Sequence, residues 1–357
     1  MSEQHNTQAQ SKKRRRRRFG LRTLFIATTL ICIFIGRWSY LSNEQEKAVA
    51  ELRRLGHVVK YEHEPPSVSA LFGRKPAQPS IRFPEWLVKT LGQDWFYAVS
   101  EIRFFETSVP DDNEQPPFEL LRNLRHIRKI YCVGTINSFE ELSHLSQLKE
   151  LIFQHCKIES FVGLENNTRL QSILSWDNSR ICSFKGLGKC KALRRLDAYY
   201  VDDLTPLKGC TGLEELRVTE SSIDDISPLA KCTKLKSVTL FCSKRVTDLA
   251  PVSKLNSLQG LFLRGAHISD LAPIKNQNIA ELVLMDCDLS NLKGIEQMPS
   301  LKELDVRGNK IKDFLPLKEC QRLKSAQCIW HHLRLTTNEI QNQFDEIREA
   351  RPGLTLN

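Results

Sequence analysis

The sequence predicts an α/β solenoid with a parallel β-sheet on its concave side, short 3₁₀ or helical turns on its convex side, and one N-terminal transmembrane helix ahead of it. Three observations carry that prediction. An apolar pattern, Leu-x-x-Leu-x-Leu, returns ten times, starting at Ile127, Leu148, Leu170, Leu193, Leu213, Leu235, Leu258, Ile279, Leu301 and Leu323, at spacings of 20 to 23 residues. An Asp-x-x-Pro-apolar segment recurs between copies. An uncharged run from Thr23 to Gly36 follows a cluster of arginines.

The chain has 357 residues, of which 41% are hydrophobic, enough to bury an extended core. Its net charge of +10 is concentrated at the N-terminus. Residues 1–37 hold Lys12, Lys13, Arg14 to Arg18, Arg22 and Arg37 against the single acid Glu3, so this segment carries +8 and the remainder +2. A nearly neutral body lacks the basic stripe that DNA or RNA requires, and no nucleic-acid partner is expected.

Residues 1–20 read as a basic cytoplasmic tail and residues 21–41 as a transmembrane signal-anchor in contact with the lipid bilayer. The apolar run itself is short of the roughly 20 residues a span needs, but Arg37 can snorkel and Trp38 and Tyr40 suit a membrane interface. The rival reading is a cleaved signal peptide, whose small-x-small cleavage site is missing from Gly36 to Leu41. Arg16-Arg17-Arg18-Phe19 is a weak match to a twin-arginine export signal. Basic residues on the cytoplasmic side place the N-terminus inside and the repeats outside a cell membrane crossed once.

Residues 42–83 are expected to form a juxtamembrane helix, Asn43 to Leu55 stopped by Gly56, and a spacer of little regular structure broken by Pro65, Pro66, Pro76 and Pro79. Residues 84–126 form an N-terminal cap, with helical spacing from Trp86 to Phe96 and a first strand through Val99, Ile102 and Phe104. Residues 127–330 hold the repeats. Each Leu-x-Leu turns its leucines inward and the residue between them outward, and a coil buries that face only by stacking on its neighbours at about 4.8 Å. Thr205 and Ser227, each before a proline, stand where an N-cap precedes a first helical position. Residues 331–357 form a C-terminal cap around an amphipathic helix from Thr337 to Ala350 with Ile340, Phe344 and Ile347 on one face.

The series Leu301, Leu304, Val306, Asn309, Ile311, Phe314, Leu317 matches the leucine-rich repeat consensus. Asp225-Ile-Ser-Pro-Leu229 and its sisters resemble the class of roughly 22 residues shared by bacterial internalins and the phosphatase regulator Sds22. The layout of basic tail, Leu21-Arg-Thr-Leu24 and Leu91-Gly-Gln-Asp-Trp-Phe96 before the repeats resembles planctomycete-type membrane-anchored leucine-rich repeat proteins. The match spans about residues 99–330. Val201 and Ala266 depart from the consensus at the turn position that favours Asn or Cys, and the repeat near Cys132 to Phe139 is shortened.

No catalytic motif emerges, and neither a cofactor nor a metal is expected. The eleven cysteines contain no C-x-x-C and no zinc spacing. Cys190, Cys210, Cys232 and Cys320 stand three residues before a repeat's first leucine, Cys156 and Cys287 at the turn, and Cys132 and Cys328 on inward strand positions. They read as small buried hydrophobes, with a stray disulfide as the alternative. His331-His332 reads as a solvated pair. Asp203, Asp225, Asp248, Asp270 and Asp313 recur with the repeat and read as turn formers.

Function is therefore expected to be non-catalytic binding of a protein, peptide or glycan through the concave face. Strand alternation turns Trp176, Tyr199, Arg217, Phe241, Phe262 and Arg264 outward near mid-arc, the residue types that binding hot spots favour. The alternative is an intracellular, Sds22-like regulatory or scaffolding subunit of an enzyme, which has no use for the apolar segment.

Overall fold

The computed structural model describes residues 21–64, 83–105, 115–176, 179–241, 246–329 and 338–357. Helix α1 (Leu21–Arg54) leads into β1 (Val58–Tyr61), helix α2 (Glu85–Leu91) and β2 (Val99–Arg103). The ten expected repeat strands follow: β3 (Lys129–Ile136), β4 (Glu150–Ile158), β5 (Ser172–Trp176), β7 (Arg195–Tyr199), β8 (Glu215–Thr219), β9 (Ser237–Phe241), β10 (Gly260–Arg264), β11 (Glu281–Met285), β12 (Glu303–Asp305) and β13 (Ser325–Gln327). A two-residue strand, β6 (Arg180–Ile181), pairs with the end of β4. Helix α3 (Asn338–Ala350) and β14 (Thr355–Leu356) close the far end.

Strands β2 to β14 run parallel in chain order, apart from the side pairing of β6, and β1 joins the first edge antiparallel to β2. In-register pairing stacks Ile130, Leu151, Ile173 and Leu196 in one inward row, and Val218, Leu240, Leu263 and Leu284 in another. These residues are at most 2% exposed, so the inward alternation of the sequence is the core of the molecule. Near the N-terminal end the core is aromatic. Phe104, Phe118, Phe139, Phe161 and Phe184 form a continuous row with ring centroids 5.4 to 6.5 Å apart. The coil between Cys132 and Phe139 keeps its pairing: β3 runs on to Ile136, with a one-residue slip against β4 after Val133.

The convex side is built from short 3₁₀ turns such as Thr205–Gly209, Ser227–Lys231 and Ala250–Lys254. Their caps differ from expectation. Thr205 and Ser227 are the first residues of their turns, and the capping side chain is the aspartate two positions earlier. Asp203, Asp225 and Asp248 each accept the backbone N–H of residues 205, 227 and 250 at 2.7 Å, and Asp270 and Asp313 do the same at 2.8 and 3.0 Å. An Asp two residues upstream reaches an N–H that proline, placed next, leaves without competition.

The segment from residue 42 to residue 64 departs most from expectation. α1 is one uninterrupted helix of 34 residues, and its second half packs on the solenoid through Ser42, Val49 and Leu52. Gly56 ends it at φ +86°, and β1 then contributes the buried Val59 and Tyr61 to the cap. Residues expected to hold the body away from its anchor are thus part of the body. The prolines at 65, 66, 76 and 79 lie outside the described residues, as does the His331-His332 pair. At the other end Phe344 and Ile347 of α3 are buried, with Ile340 half-buried, as the amphipathic pattern predicts.

The column of cysteines is also a packing feature. Cys190, Cys210 and Cys232 sit on successive coils, buried and free, each with its thiol directed at a carbonyl of the preceding coil: Leu164, Leu187 and Leu207 at 3.8, 3.3 and 3.3 Å. Asn167 fills the same position one coil earlier and donates to Leu142 and Leu145 at 3.0 Å. Burial pushes the Cys210 thiol up to about 12, so it stays protonated.

Candidate functional site

Every side chain singled out for the concave face projects from the sheet and none is fully buried. Trp176, Arg217 and Arg264 are exposed, while Tyr199, Phe241 and Phe262 are half-buried. Pairing places Phe241 beside Arg264, and Phe262 beside Thr239. The six do not form one continuous surface. Between β5 and β7 the ladder is paired only at Ser172–Arg195 and Ile173–Leu196, so the strands part before Trp176 and Tyr199. Thr219, between Tyr199 and Phe241 in sequence order of the strands, is buried at 6% exposure. Phe262 lies back along its own strand over Gly260, where any β-carbon would come within 2.6 Å of the ring. Among the described residues no ring contact joins the four aromatics.

The face has a polar side that sequence patterning only partly showed. Asp197 stands opposite Arg217 in the strand ladder and is half-buried, with its Oδ1 unpartnered. Burial raises its pKa to about 6 against the lowering influence of Arg217. Ser172 and Thr219, on the flanking strands, are also buried with unpartnered hydroxyls. Three unmet polar groups therefore stand on the successive strands β5, β7 and β8. Arg264 is engaged more loosely, with its Nε 3.2 Å from Asp286 and both groups exposed.

The rim beyond β7 was not legible as outward-facing. Tyr200, 40% exposed, follows β7 in the left-handed region at φ 64°, and the Arg180 guanidinium stands 6.0 Å from its ring. The chain makes the same left-handed turn after other strands, at Glu220, Gly265, Asp286 and Gly308, and within β4 at His155. Only two of these are glycine. No motif marks the rest.

The geometry of coil, turn and sheet agrees with solved structures. An internalin (inlF) of Listeria monocytogenes superposes with a TM-score of 0.56 at 24% identity, over 67% of this chain and 69% of that one. The fold is a leucine-rich repeat solenoid. A chain of an octameric complex of Latrophilin 3, Unc5D and FLRT2 (LRR) superposes with a TM-score of 0.55 at 16% identity, over 72% of this chain and 83% of that one. In sequence, 206 residues are 28% identical to the volume-regulated anion channel subunit LRRC8D of Homo sapiens, and 223 residues are 31% identical to the disease resistance protein RPS4B of Arabidopsis thaliana. The matches cover 55% and 61% of this chain but only 22% and 16% of those proteins. No family model matches.

The apolar half of α1 is long and apolar enough to cross a membrane, and none of that stretch is buried against the body. It is a candidate transmembrane segment on length, composition and exposure together.

Proposed function

We propose that this chain is a non-catalytic, membrane-anchored binding protein that takes a protein, peptide or glycan partner on its concave sheet between β5 and β10. The observation that carries this reading is the group of unspent side chains there. Exposed Trp176 and Tyr200, half-buried Tyr199, Phe241 and Phe262, and the arginines 217 and 264 supply hot-spot chemistry, and Asp197, Ser172 and Thr219 hold polar atoms with no partner in the fold. A buried polar atom left unpaired costs about 1–3 kcal/mol, which a bound partner or water offsets. The fully exposed apolar length of α1 supports an anchor, with the N-terminus cytoplasmic and the repeats outside. An intracellular regulatory subunit leaves that length unaccounted for.

The test uses the full chain in detergent. Trp176 and Phe241 changed together to alanine, with thermal melting unchanged, are expected to abolish capture of whatever the wild type retrieves from a membrane and envelope extract. Undiminished capture would move the site off this face. Added protease is expected to cleave the repeats from outside intact spheroplasts; protection would reverse the orientation.

A further inference from the structure

We propose that the N-terminal cap lies on the bilayer itself, with α2 and the 3₁₀ turn after it seated in the interfacial zone beside the emerging end of α1. This rests on α1 being a membrane span, and adds a second membrane contact to it.

The level of the contact follows from helix geometry. From Leu21 to Trp38 the helix rises roughly 26 Å at about 1.5 Å per residue, close to the ~30 Å of a hydrocarbon core. Trp38 therefore stands at the far boundary, the depth that tryptophan prefers. Its Nε1 donates to the carbonyl of Trp95 at 2.9 Å. That bond brings the Trp95 end of the turn Gln93–Trp95 to the same depth, and α2 ends at Leu91, two residues before the turn.

The side chains at this level suit the bilayer. Phe83, Trp86 and Leu91 are 39%, 67% and 44% exposed, and Trp86 is the most exposed large apolar residue outside α1 among the described residues. On α1 itself Tyr40 and Leu41 are exposed just past Trp38. The cap cannot swing these groups away independently. Gln45 donates to Asp94 and to the carbonyl of Tyr97, both at 2.9 Å, and the Tyr61 hydroxyl donates to the same Asp94 at 2.8 Å. A rigid join at Trp38 carries α2 to wherever the helix emerges.

Charge plays little part in this contact. Glu85 and Lys89, the ionised groups of α2, pair with each other at 2.8 Å and leave the short helix neutral. Its affinity comes from partition of aromatic and aliphatic groups into the interface, so zwitterionic phosphatidylcholine is sufficient and anionic lipid is unnecessary. A second protein chain on this face would have to lie against the bilayer that α1 has just left.

The experiment reconstitutes the full chain in phosphatidylcholine vesicles whose lipids carry bromine at shallow acyl positions, and reads tryptophan quenching. Trp86→Phe is expected to remove part of the quenchable emission, as Trp38→Phe does, while Trp176→Phe removes none. Leu91→Asp, which keeps Trp86, is expected to reduce quenching with melting unchanged. Loss with Trp38→Phe but not with Trp86→Phe leaves the span in place and overturns the second contact. Loss with neither overturns the span and the contact together. Blue-shifted Trp86 emission that bromolipid fails to quench assigns the face to a second copy of the chain, which also overturns the proposal.

Discussion

Asp197 stands on the open side of the sheet, yet its surroundings hold its pKa at about 6, above the ordinary carboxylate value of about 3.9 in an unfolded chain. The native state therefore binds this proton more tightly than the unfolded state does. The residue's contribution to stability is fully present below about pH 4 and is lost as pH rises through about 6. Asp197→Asn is expected to raise the melting temperature relative to wild type at pH 7.5 and to leave it nearly unchanged at pH 4, as paired thermal melts would show. A second prediction concerns two glycines one coil apart. A methyl group at Gly209 would run into the backbone of Gly188, whereas one at Gly188 meets only the carbonyl of Pro206, at 3.4 Å. Gly209→Ala is expected to cost about 1–3 kcal/mol in urea denaturation, and Gly188→Ala less than half as much. Neither effect was readable in the sequence, because both depend on how closely the adjacent coil approaches. The outward set from Trp176 to Arg264 was readable, since alternation along a strand is local; the burial of Thr219 and the collapse of Phe262 onto Gly260 were not.

At the scale of a coil, stability depends on how each turn satisfies its backbone. Asn309 does so most completely: its amide accepts from the N–H groups of Cys287 and Leu289 at 3.0 and 2.9 Å and donates to the carbonyls of Leu284 and Val306 at 2.6 and 2.7 Å. Asp225 caps one turn N–H and also receives the Ser227 hydroxyl at 2.8 Å, all at an exposed site. Asn309→Ala is therefore expected to destabilise by about 2–4 kcal/mol and Asp225→Ala by about 0.5–2 kcal/mol, measured as the shift in urea midpoint at constant slope. The aspartates were recognisable as turn formers from their period, and Asn309 from the consensus. The exact cap was misjudged at Thr205 and Ser227 because hydroxyl and carboxylate can both cap, and only the local backbone decides between them. The left-handed positions His155, Tyr200, Glu220 and Asp286 stayed hidden because a non-glycine side chain gives no warning there.

Across the whole molecule, the join between α1 and the solenoid sets the folding unit. A chain beginning at residue 42 retains Val49, Leu52, Val59 and Tyr61 in the cap, and one beginning at residue 84 leaves the first coil open. The longer form is expected to melt cooperatively and the shorter at lower temperature, with the first strands exchanging their amide hydrogens early. The repeats were legible because each coil restates one pattern; this join was not, because β1 and β2 pair across some forty residues of unlike sequence. Three residues separate the end of α1 from the start of β1. A domain hung on a loose tether sweeps a volume that grows with tether length, and so meets partners at many heights. Here height is counted in coils: the proposed binding band begins three strand steps from β2 and ends seven steps from it, about 14 and 34 Å along the stack at about 4.8 Å per step. The solenoid is then a ruler graduated in repeats, and inserting or deleting one coil between β2 and β5 would move the whole band by a single graduation while leaving every residue of the band unchanged.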